Sequence, residues 1–124
     1  MKQKNKTFQK MLQAIQEFRD ARDWAQYHTP KDLAMDVVRE ASEAMECLLW
    51  ITNEQAEQDE ERKEDIAKEL ADVLHSLLLL SDKLEIDLEQ SFWDKLKEIK
   101  KRYPAKEFRS KSTYQFKKEQ RKLS

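Results

Sequence analysis

The fold is indicated most clearly by residues 62–84, RKEDIAKELADVLHSLLLLSDKL. Its large apolar residues recur every three or four positions, which is the spacing of one face of an α-helix. They are Ile66, Leu70, Val73, Leu77, Leu80 and Leu84. We therefore expect one long helix over residues 62–84, with this stripe directed into a core.

Two helices are expected before this stretch. The first covers about residues 7–24, where apolar residues again recur at helical spacing. The second begins with Thr29 as its N-cap and Pro30 in its first turn, and ends near residues 52–53. Residues 54–65 are acidic and carry no large apolar side chain, so they form either an exposed loop or a short solvated helix.

A fourth helix is expected from Asp87 as N-cap to about Tyr103, because Pro104 cannot continue it. Together these segments predict an all-α, four-helix bundle over residues 1–104. The polar and basic residues 105–124 are expected to be a tail that becomes ordered on contact and contributes to the site or to an interface.

The apolar surface of these four helices exceeds what one bundle face can hide. The exposed candidates are Phe92, Trp93 and the run of leucines at 77–80. A chain of 124 residues with short helices also buries only a modest core. We therefore expect an oligomer, either a dimer or a dimer of dimers.

The composition excludes several classes of protein. Glycine is absent, which rules out a P-loop, a Rossmann fingerprint and a G-x-S-x-G nucleophile elbow. The single cysteine, Cys47, excludes an internal disulfide and a cysteine-based zinc site, and fits a cytoplasmic location. The longest apolar run is only residues 77–80, so no membrane-spanning segment is expected.

The charge is distributed unevenly along the chain. Residues 95–124 hold twelve Lys and Arg against three Asp and Glu, although the whole chain has a net charge of −1. A basic segment beside an acidic body indicates a phosphate-bearing ligand, self-association or a solvated tail. Composition alone does not choose among these three.

Two pairs of acids lie on otherwise apolar helix faces. Glu40 and Glu43 are three residues apart on the second predicted helix, and Glu69 and Asp72 are three apart on the third. Each pair projects from one face, and the pairs converge if the two helices are antiparallel neighbours. Carboxylates gathered in this way repel each other, and a divalent cation relieves the repulsion. Ligation by oxygen alone favours Mg²⁺ or Mn²⁺ over zinc.

The same acids have a simpler interpretation as a solvated face paired with basic residues. Arg39, Lys63 and Lys68 are available for such pairs. The E-x-x-E spacing alone is too common to decide between the two interpretations.

Four motifs resemble those of the MazG-like all-α nucleoside triphosphate pyrophosphohydrolases, and in particular their dCTP pyrophosphatase branch. EASE at 40–43 and ELAD at 69–72 resemble the family's E-x-x-E and E-x-x-D pair. RDWAQYHTPKDL at 22–33 is similar to the branch's R-D-W-x-x-F-H-x-P-x-N-L segment, and Trp50 matches a tryptophan of that branch. KLKEIKKRYPA at 95–105 is similar to its K-x-x-x-N-x-x-R-Y-P-A segment.

The resemblance, which covers about residues 12–114, implies a hydrolase that cleaves a nucleoside triphosphate between its α- and β-phosphates. It implies that Mg²⁺, or Mn²⁺ in its place, is held by four catalytic acids: Glu40, Glu43, Glu69 and Asp72. It implies that Lys95, Arg102 and Arg109 offset the charge of the triphosphate. It also implies a homodimer or homotetramer, because relatives pair subunits around the active site.

Trp24 and Trp50 have two interpretations. Either they pack between helices, or they stack on a nucleobase, since every base offers a flat π-face. The resemblance favours stacking for both.

Three positions depart from the family's pattern. Ile15 and Ser76 stand where the dCTP branch has a histidine and a tyrosine, and Ile99 stands where relatives have an asparagine. The expected substrate is therefore dCTP or a related nucleotide, recognised with weaker discrimination than is usual in that branch. The alternative function is a non-catalytic helical module whose basic tail binds nucleic acid or another partner. The inward acids favour the enzyme, because a nucleic-acid binder gains nothing from clustered carboxylates.

Overall fold

The computed structural model describes residues 6–123, apart from the side chain of Thr113. Residues 1–5 of the expected bundle and Ser124 of the expected tail lie outside the described residues. The chain divides into two compact units, one ending at Leu88 and one beginning at Glu89. All regular structure in the described range is helical, which confirms the all-α class.

The described residues form seven α-helices rather than the four expected. Their bounds are α1 Thr7–Ala21, α2 Pro30–Glu46, α3 Asn53–Gln58, α4 Glu60–Lys83, α5 Leu88–Arg102, α6 Ala105–Phe108 and α7 Thr113–Leu123. A short 3₁₀ turn, Ala25–Tyr27, separates α1 from α2. Two of these helices, α6 and α7, lie within the expected C-terminal tail at residues 105–124.

The start of α2 follows the sequence, whereas its end does not. The backbone N–H of Asp32 donates to the Thr29 side chain at 3.1 Å, which confirms Thr29 as the N-cap. The helix ends at Glu46, well before residues 52–53, and a turn follows. The next helix, α3, begins with a capping box in which Thr52 and Gln55 exchange side-chain and backbone hydrogen bonds of 2.9 and 3.1 Å. Residues 54–65 are therefore mostly helical.

The inward stripe expected on α4 was partly wrong. Leu70, Leu77 and Leu84 are exposed, and the side chains buried on this helix are Leu78, Ser76 and Ser81. The reason is that α4 contacts α1, α2 and α3 together. Its buried side chains therefore lie towards several partner helices, and a single 3.6-residue stripe does not describe them.

The packing of α2 along α4 is the main helix–helix contact of the first unit. Arg62, near the start of α4, donates to the carbonyl oxygen of Cys47 just beyond the end of α2, at 3.0 Å. Glu43, in the last turn of α2, lies close to Glu69, in the first half of α4. Since the end of α2 meets the start of α4, the two helices are antiparallel.

Helix α1 is attached to α4 through one carboxylate. Asp82 accepts hydrogen bonds from Gln16 at 2.7 Å and from Arg19 at 2.6 Å. Arg19 also pairs with Asp20 at 2.8 Å, and these two acids raise the pKa of Arg19, so its charge is secured. A charge-assisted, part-buried pair of this kind fixes the register of α1 on α4.

The second unit is held together by aromatic side chains. Phe108 packs edge-to-face on Tyr103, with ring centroids 5.0 Å apart, and lies 4.0 Å from the ring of Phe116. Ser112 and Gln115 form a reciprocal cap at the start of α7, with hydrogen bonds of 2.9 and 3.1 Å. These contacts explain why the basic C-terminal segment is helical.

The turns are built without glycine. Within residues 6–123, Asp23, Trp50, Glu85 and Ser110 adopt the left-handed backbone region, with φ between 53° and 67°. Three of them directly follow a helix or its cap, where glycine is the usual residue. Every helix in this part of the chain is too short or too polar to span a lipid bilayer.

Candidate metal centre

Three of the four candidate acids meet at the contact between α2 and α4. Glu40 and Glu43 project from one face of α2 because they are three residues apart, and Glu69 projects from α4. One carboxylate oxygen of each lies within 4.8 Å of the others, and all three side chains are half-buried. This is a spacing that one divalent cation can bridge.

Glu69 contains an orphaned oxygen. Its Oε2 atom is buried and has no hydrogen-bond partner among the described residues. A buried carboxylate oxygen without a donor is unfavourable, and such groups are rare in native proteins unless an ion or water satisfies them. The oxygen-only donor set and this unsatisfied atom fit a hard cation such as Mg²⁺ or Mn²⁺.

The environment of Glu40 is electrostatically unfavourable. Its side chain is 16% exposed. Burial is the main cause that raises the pKa of this carboxyl, and the adjacent Glu43 carboxylate raises it further. Asp72 acts in the same direction, whereas Arg39 opposes the shift. Asp72 is therefore close enough to affect the pKa of Glu40.

Asp72 itself lies outside the group of three and is more exposed than Glu40. Its Oδ1 atom is 3.7 Å from Nδ1 of His75, one turn further along α4. It thus lies on the same helix as Glu69 and between the cluster and His75.

Basic partners reach only part of the cluster. Arg39 is 3.4 Å from Glu40, but it also pairs with Asp36 at 3.1 Å. Lys63 pairs with Glu60 instead. In the described part of the chain no salt bridge is formed by Glu43 or Glu69. The interpretation as an ion-paired surface therefore explains Glu40 in part and leaves Glu69 unexplained.

The two candidate stacking tryptophans differ in environment. Trp24 contacts Phe18 edge-to-face, with centroids 5.5 Å apart, and Arg22 lies 3.8 Å above the Phe18 ring. Trp50 is 98% exposed and has φ of 67°. Packing between helices is therefore not the role of Trp50 in the described chain.

Two candidate phosphate-binding cations are joined by an acid that the sequence reasoning missed. Lys95 and Arg102 of α5 both pair with Oε1 of Glu98, at 3.3 and 3.0 Å. The signal was present in the sequence, since residues three and four apart on a helix are neighbours. Arg109 is exposed and directly follows α6.

Comparisons with known proteins identify relatives of this chain. A model of the MazG-like family matches residues 37–115. The chain is 36% identical over 99 residues to dCTP pyrophosphatase 1 of Homo sapiens, covering 77% of this chain and 58% of that protein. It is 35% identical over 92 residues to the Bos taurus protein of the same name, covering 71% and 54%. The chain thus spans little more than half the length of these curated relatives.

A solved structure is similar as well. A pyrophosphatase from Archaeoglobus fulgidus DSM 4304 has 35% sequence identity and a TM-score of 0.74, and the match covers 84% of this chain and 98% of that one. The family match includes all four candidate acids and the stretch from α4 to α6. Because that match and the relatives each span well over half of its residues, the chain belongs to the MazG-like family.

Proposed function

We propose that the protein is a divalent-cation-dependent pyrophosphohydrolase that cleaves nucleoside triphosphates between the α- and β-phosphates, releasing a monophosphate and pyrophosphate. The single observation that carries the proposal is the buried, unpartnered Oε2 of Glu69 beside the carboxylates of Glu40 and Glu43. The names of the relatives, dCTP pyrophosphatase and pyrophosphatase, support the same class of reaction.

The proposed ligands are the four acids Glu40, Glu43, Glu69 and Asp72. When bound, Mg²⁺ or Mn²⁺ supplies neutralisation of phosphate oxygens and polarisation of the attacking water. The protein's part is to hold these acids on two packed helices, so that their positions are fixed before substrate arrives. Partial burial keeps bulk water away from the carboxylates and strengthens their interactions.

The remaining candidate residues are assigned to the substrate. Trp24 and Trp50 are proposed to stack on the base, which their exposed rings support. Lys95, Arg102 and Arg109, all exposed, are proposed to offset the negative charge of the triphosphate. Housecleaning of the nucleotide pool is the proposed role, and the cytoplasm, which the single cysteine fits, is the proposed location.

The proposed substrate is dCTP or a related deoxynucleotide, with modest discrimination. Stacking holds any base and scarcely distinguishes one from another. Selectivity requires polar groups that the wrong base would leave unpaired. Ile15 and Ile99 offer none, and Ser76 is buried within α4.

A homodimer or homotetramer is proposed because much apolar surface remains uncovered. Met35 and Val38 on α2, Leu70 and Leu77 on α4, and Trp93 on α5 are all exposed.

The decisive experiment measures pyrophosphate release from canonical and modified (d)NTPs with Mg²⁺. Glu69→Gln and Asp72→Asn should each lower kcat/KM by at least about a hundredfold, because even groups that merely orient metal ligands contribute about 10- to 100-fold. Mn²⁺ binding, followed by electron paramagnetic resonance, should weaken in parallel. Glu64→Gln, at an exposed position of the same helix, is the matched control and should behave like wild type.

Two results would contradict the proposal. One is near-full activity in both Glu69→Gln and Asp72→Asn. The other is the absence of pyrophosphate release from every nucleotide while circular dichroism shows a folded helical protein.

A further inference from the structure

Helix α7 carries positive charge along one side. Residues three and four positions apart share one face of a helix. On this side of α7 lie an aromatic residue and four cations: Tyr114, Lys117, Lys118, Arg121 and Lys122. All five residues are exposed, Tyr114 to 72%. We call these five residues the basic face of α7.

The opposite side of α7 attaches the helix to the second unit. Phe116 is half-buried, and its ring centroid lies 4.0 Å from that of Phe108. With 3.6 residues per turn, Phe116 points away from the basic face. The acid of this helix, Glu119, pairs with Lys111 at 2.8 Å. The basic face is therefore turned away from the packed aromatic residues of the second unit.

Most of the positive charge on the basic face is not compensated by acids. Among the described residues, Lys117, Lys118 and Lys122 form no salt bridge. Lys118 and Lys122 are four residues apart, and like charges at this spacing destabilise a helix. A bound polyanion relieves this repulsion, because it places negative charge beside several cations at once.

The proposed hydrolysis gives the four cations of the basic face no role. The match to the MazG-like family ends at residue 115, before all of them. The cations assigned to the triphosphate, Lys95, Arg102 and Arg109, precede α7 in the chain. The acid cluster belongs to the first unit, whereas the basic face belongs to the second. The reaction proposed for the family therefore does not explain this face.

The length of the basic face fits several consecutive phosphates. From Tyr114 to Lys122 the helix rises about 12 Å, at about 1.5 Å per residue. Phosphates of one nucleic-acid strand are about 3.4 Å apart along the double helix, so the face spans about three to four of them. Tyr114 adds an exposed ring among the cations, and an unstacked base can lie on such a ring.

An anionic membrane fits the basic face less well than a nucleic acid does. A helix that lies on a membrane buries a broad apolar face among the lipid headgroups. Phe116, the large apolar residue in the middle of α7, is already packed on Phe108. Among the described residues of α7, Leu123 is the one exposed aliphatic side chain. The helix therefore offers a lipid surface little apolar area.

We propose that the basic face of α7 binds single-stranded nucleic acid, with its cations on the phosphates and Tyr114 stacked on a base. The inference goes beyond the proposed function and does not depend on it. Phosphate contacts carry no sequence information, and stacking accepts every base. The binding should therefore be independent of sequence and strongly dependent on salt.

The binding test titrates the full chain into a fluorescent oligodeoxythymidylate of about 12 nucleotides and follows its anisotropy. EDTA is present, and the oligonucleotide has a 5′-hydroxyl end, so neither a metal nor a triphosphate contributes. Binding should be detected at about 50 mM salt and should weaken about 20- to 50-fold at about 200 mM. This is the dependence expected for about three to four phosphate contacts on a single strand.

The first variant removes two cations from the basic face. Lys117→Gln combined with Lys118→Gln should weaken binding and lower the slope of log affinity against log salt by about 1.4, since each contact contributes about 0.7. The matched control combines Lys6→Gln with Lys10→Gln, which removes the same charge from exposed positions at the start of α1. The control should bind like wild type.

The second variant tests stacking. Tyr114→Ala should weaken binding of the single strand by about five- to a hundredfold. It should leave the affinity for a duplex of the same length unchanged, because the bases of a duplex are already stacked on each other. Tyr27→Ala is the matched control, since Tyr27 is 69% exposed and belongs to the first unit. That control should keep the wild-type affinity for both ligands.

Several results of the binding test would overturn the inference. One is the absence of binding at low salt, and another is an equal loss of affinity in the double-lysine variant and its control. Unchanged binding of the single strand by Tyr114→Ala would remove the stacking and the preference for single strands. Tighter binding to phosphatidylserine vesicles than to the oligonucleotide would assign the face to a membrane.

Two further measurements separate the inference from the proposed function. Pyrophosphate release from dNTPs should be the same in the double-lysine variant as in wild type. A fall in this activity would assign the face to the substrate instead and overturn the inference. Sedimentation of the same variant should also be unchanged, because a shift would show that the face is buried between copies. If no nucleotide is hydrolysed by wild type, the proposed function fails, and the oligonucleotide titration still decides the inference.

Discussion

The charged form of Glu40 is partly buried beside another carboxylate, and this lowers the stability of the folded protein at neutral pH. Burial and the adjacent Glu43 raise the pKa of its carboxyl above the ordinary value. A group whose pKa is higher in the folded than in the unfolded state binds protons more tightly when folded. Its contribution to stability is therefore fully present below the unfolded pKa and is lost as the pH rises through the folded pKa.

We accordingly predict that Glu40→Gln is more heat-stable than wild type in EDTA at pH 7. The melting temperature should rise by about 3–6 °C for each kcal/mol of repulsion removed. The difference should shrink as the pH falls through the raised pKa of Glu40, and it should be gone below the ordinary glutamate value of 4.5. Calorimetry across pH measures both effects, with the exposed Glu46→Gln as control. An equal or lower melting temperature at pH 7 would contradict the assignment.

Trp50 combines two unfavourable features, full exposure and a left-handed backbone. The left-handed region is unfavourable for a bulky residue by about 1–2 kcal/mol. Strained residues of this kind cluster at active sites and ligand-binding sites.

We predict that Trp50→Gly stabilises the fold and weakens the interaction with the substrate. The free energy of unfolding in urea should rise by about 1 kcal/mol, because glycine adopts this conformation without strain. At the same time kcat/KM should fall for every dNTP, by about five- to a hundredfold, the range that base stacking supplies. Trp24→Ala is the matched comparison.

Trp24 has an ordinary helical backbone and contacts Phe18, so its removal should lower both stability and activity. If Trp50→Gly leaves kcat/KM unchanged for all nucleotides, the stacking role of Trp50 is wrong.

At this scale the sequence was informative about which side chains form the candidate site and uninformative about their surroundings. The spacing of Glu40 and Glu43 places them on one face of α2, and their approach to Glu69 was expected only if α2 and α4 were antiparallel neighbours. The orphaned oxygen of Glu69 could not be foreseen, because it depends on which atoms of α2 and α4 come into contact.

At the scale of elements, helix starts were predicted better than helix ends. Thr29 and Pro30 act locally, so the start of α2 can be read from a few residues. The end of α2 at Glu46 instead coincides with a tertiary hydrogen bond from Arg62 to the Cys47 carbonyl, fifteen residues apart. A contact of this kind cannot be predicted from the local sequence. The apolar residues after Glu46 instead suggested a longer helix.

On helix α5, the two candidate phosphate-binding cations both pair with a single carboxylate. Lys95 and Arg102 flank Glu98 at three and four residues, and all three side chains are about half exposed. A triphosphate must compete with Glu98 for both of them.

We predict that Glu98→Gln lowers KM for nucleoside triphosphates. The change should be about 1.4- to fivefold at low ionic strength, which corresponds to an exposed ion pair worth about 0.2–1 kcal/mol. It should vanish in high salt, because exposed charges are screened. Steady-state kinetics at two salt concentrations measure this, and Glu107→Gln, an exposed acid on α6, is the control. A higher KM would place the substrate elsewhere than α5.

At the scale of the whole molecule, the first unit hides few side chains completely. Leu33 and Leu78 are the largest fully buried ones in the described chain, whereas Met35, Val38 and Leu70 are exposed. Apolar residues that share a helix face and remain exposed mark an interaction surface.

We predict that the protein sediments as a dimer or tetramer at micromolar concentration. Val38→Lys should shift it towards the monomer, because a charge would then lie in the apolar contact. Gln58→Lys, which adds the same charge on α3, should leave the assembly intact. Analytical ultracentrifugation distinguishes the species. A well-folded wild-type monomer would refute the oligomer.

The all-α class was predictable at this scale because a sequence without glycine and with two prolines can form few tight hairpins. The C-terminal helices α6 and α7 were not predicted. Their stability comes from contacts of Phe108 with Tyr103 and Phe116, and a high charge density hides such a cluster from pattern analysis.

The glycine-free turns also bear on the denatured ensemble. An unfolded chain is most flexible at its glycines, and this chain has none. Its disordered state therefore samples fewer conformations, and less entropy is lost when the helices form. Residues with a left-handed backbone, such as Asp23 and Glu85, lower the stability of the folded state locally. The smaller number of unfolded conformations raises the stability of the chain as a whole. A first unit with so little fully buried apolar surface can fold in part because its unfolded state is so restricted.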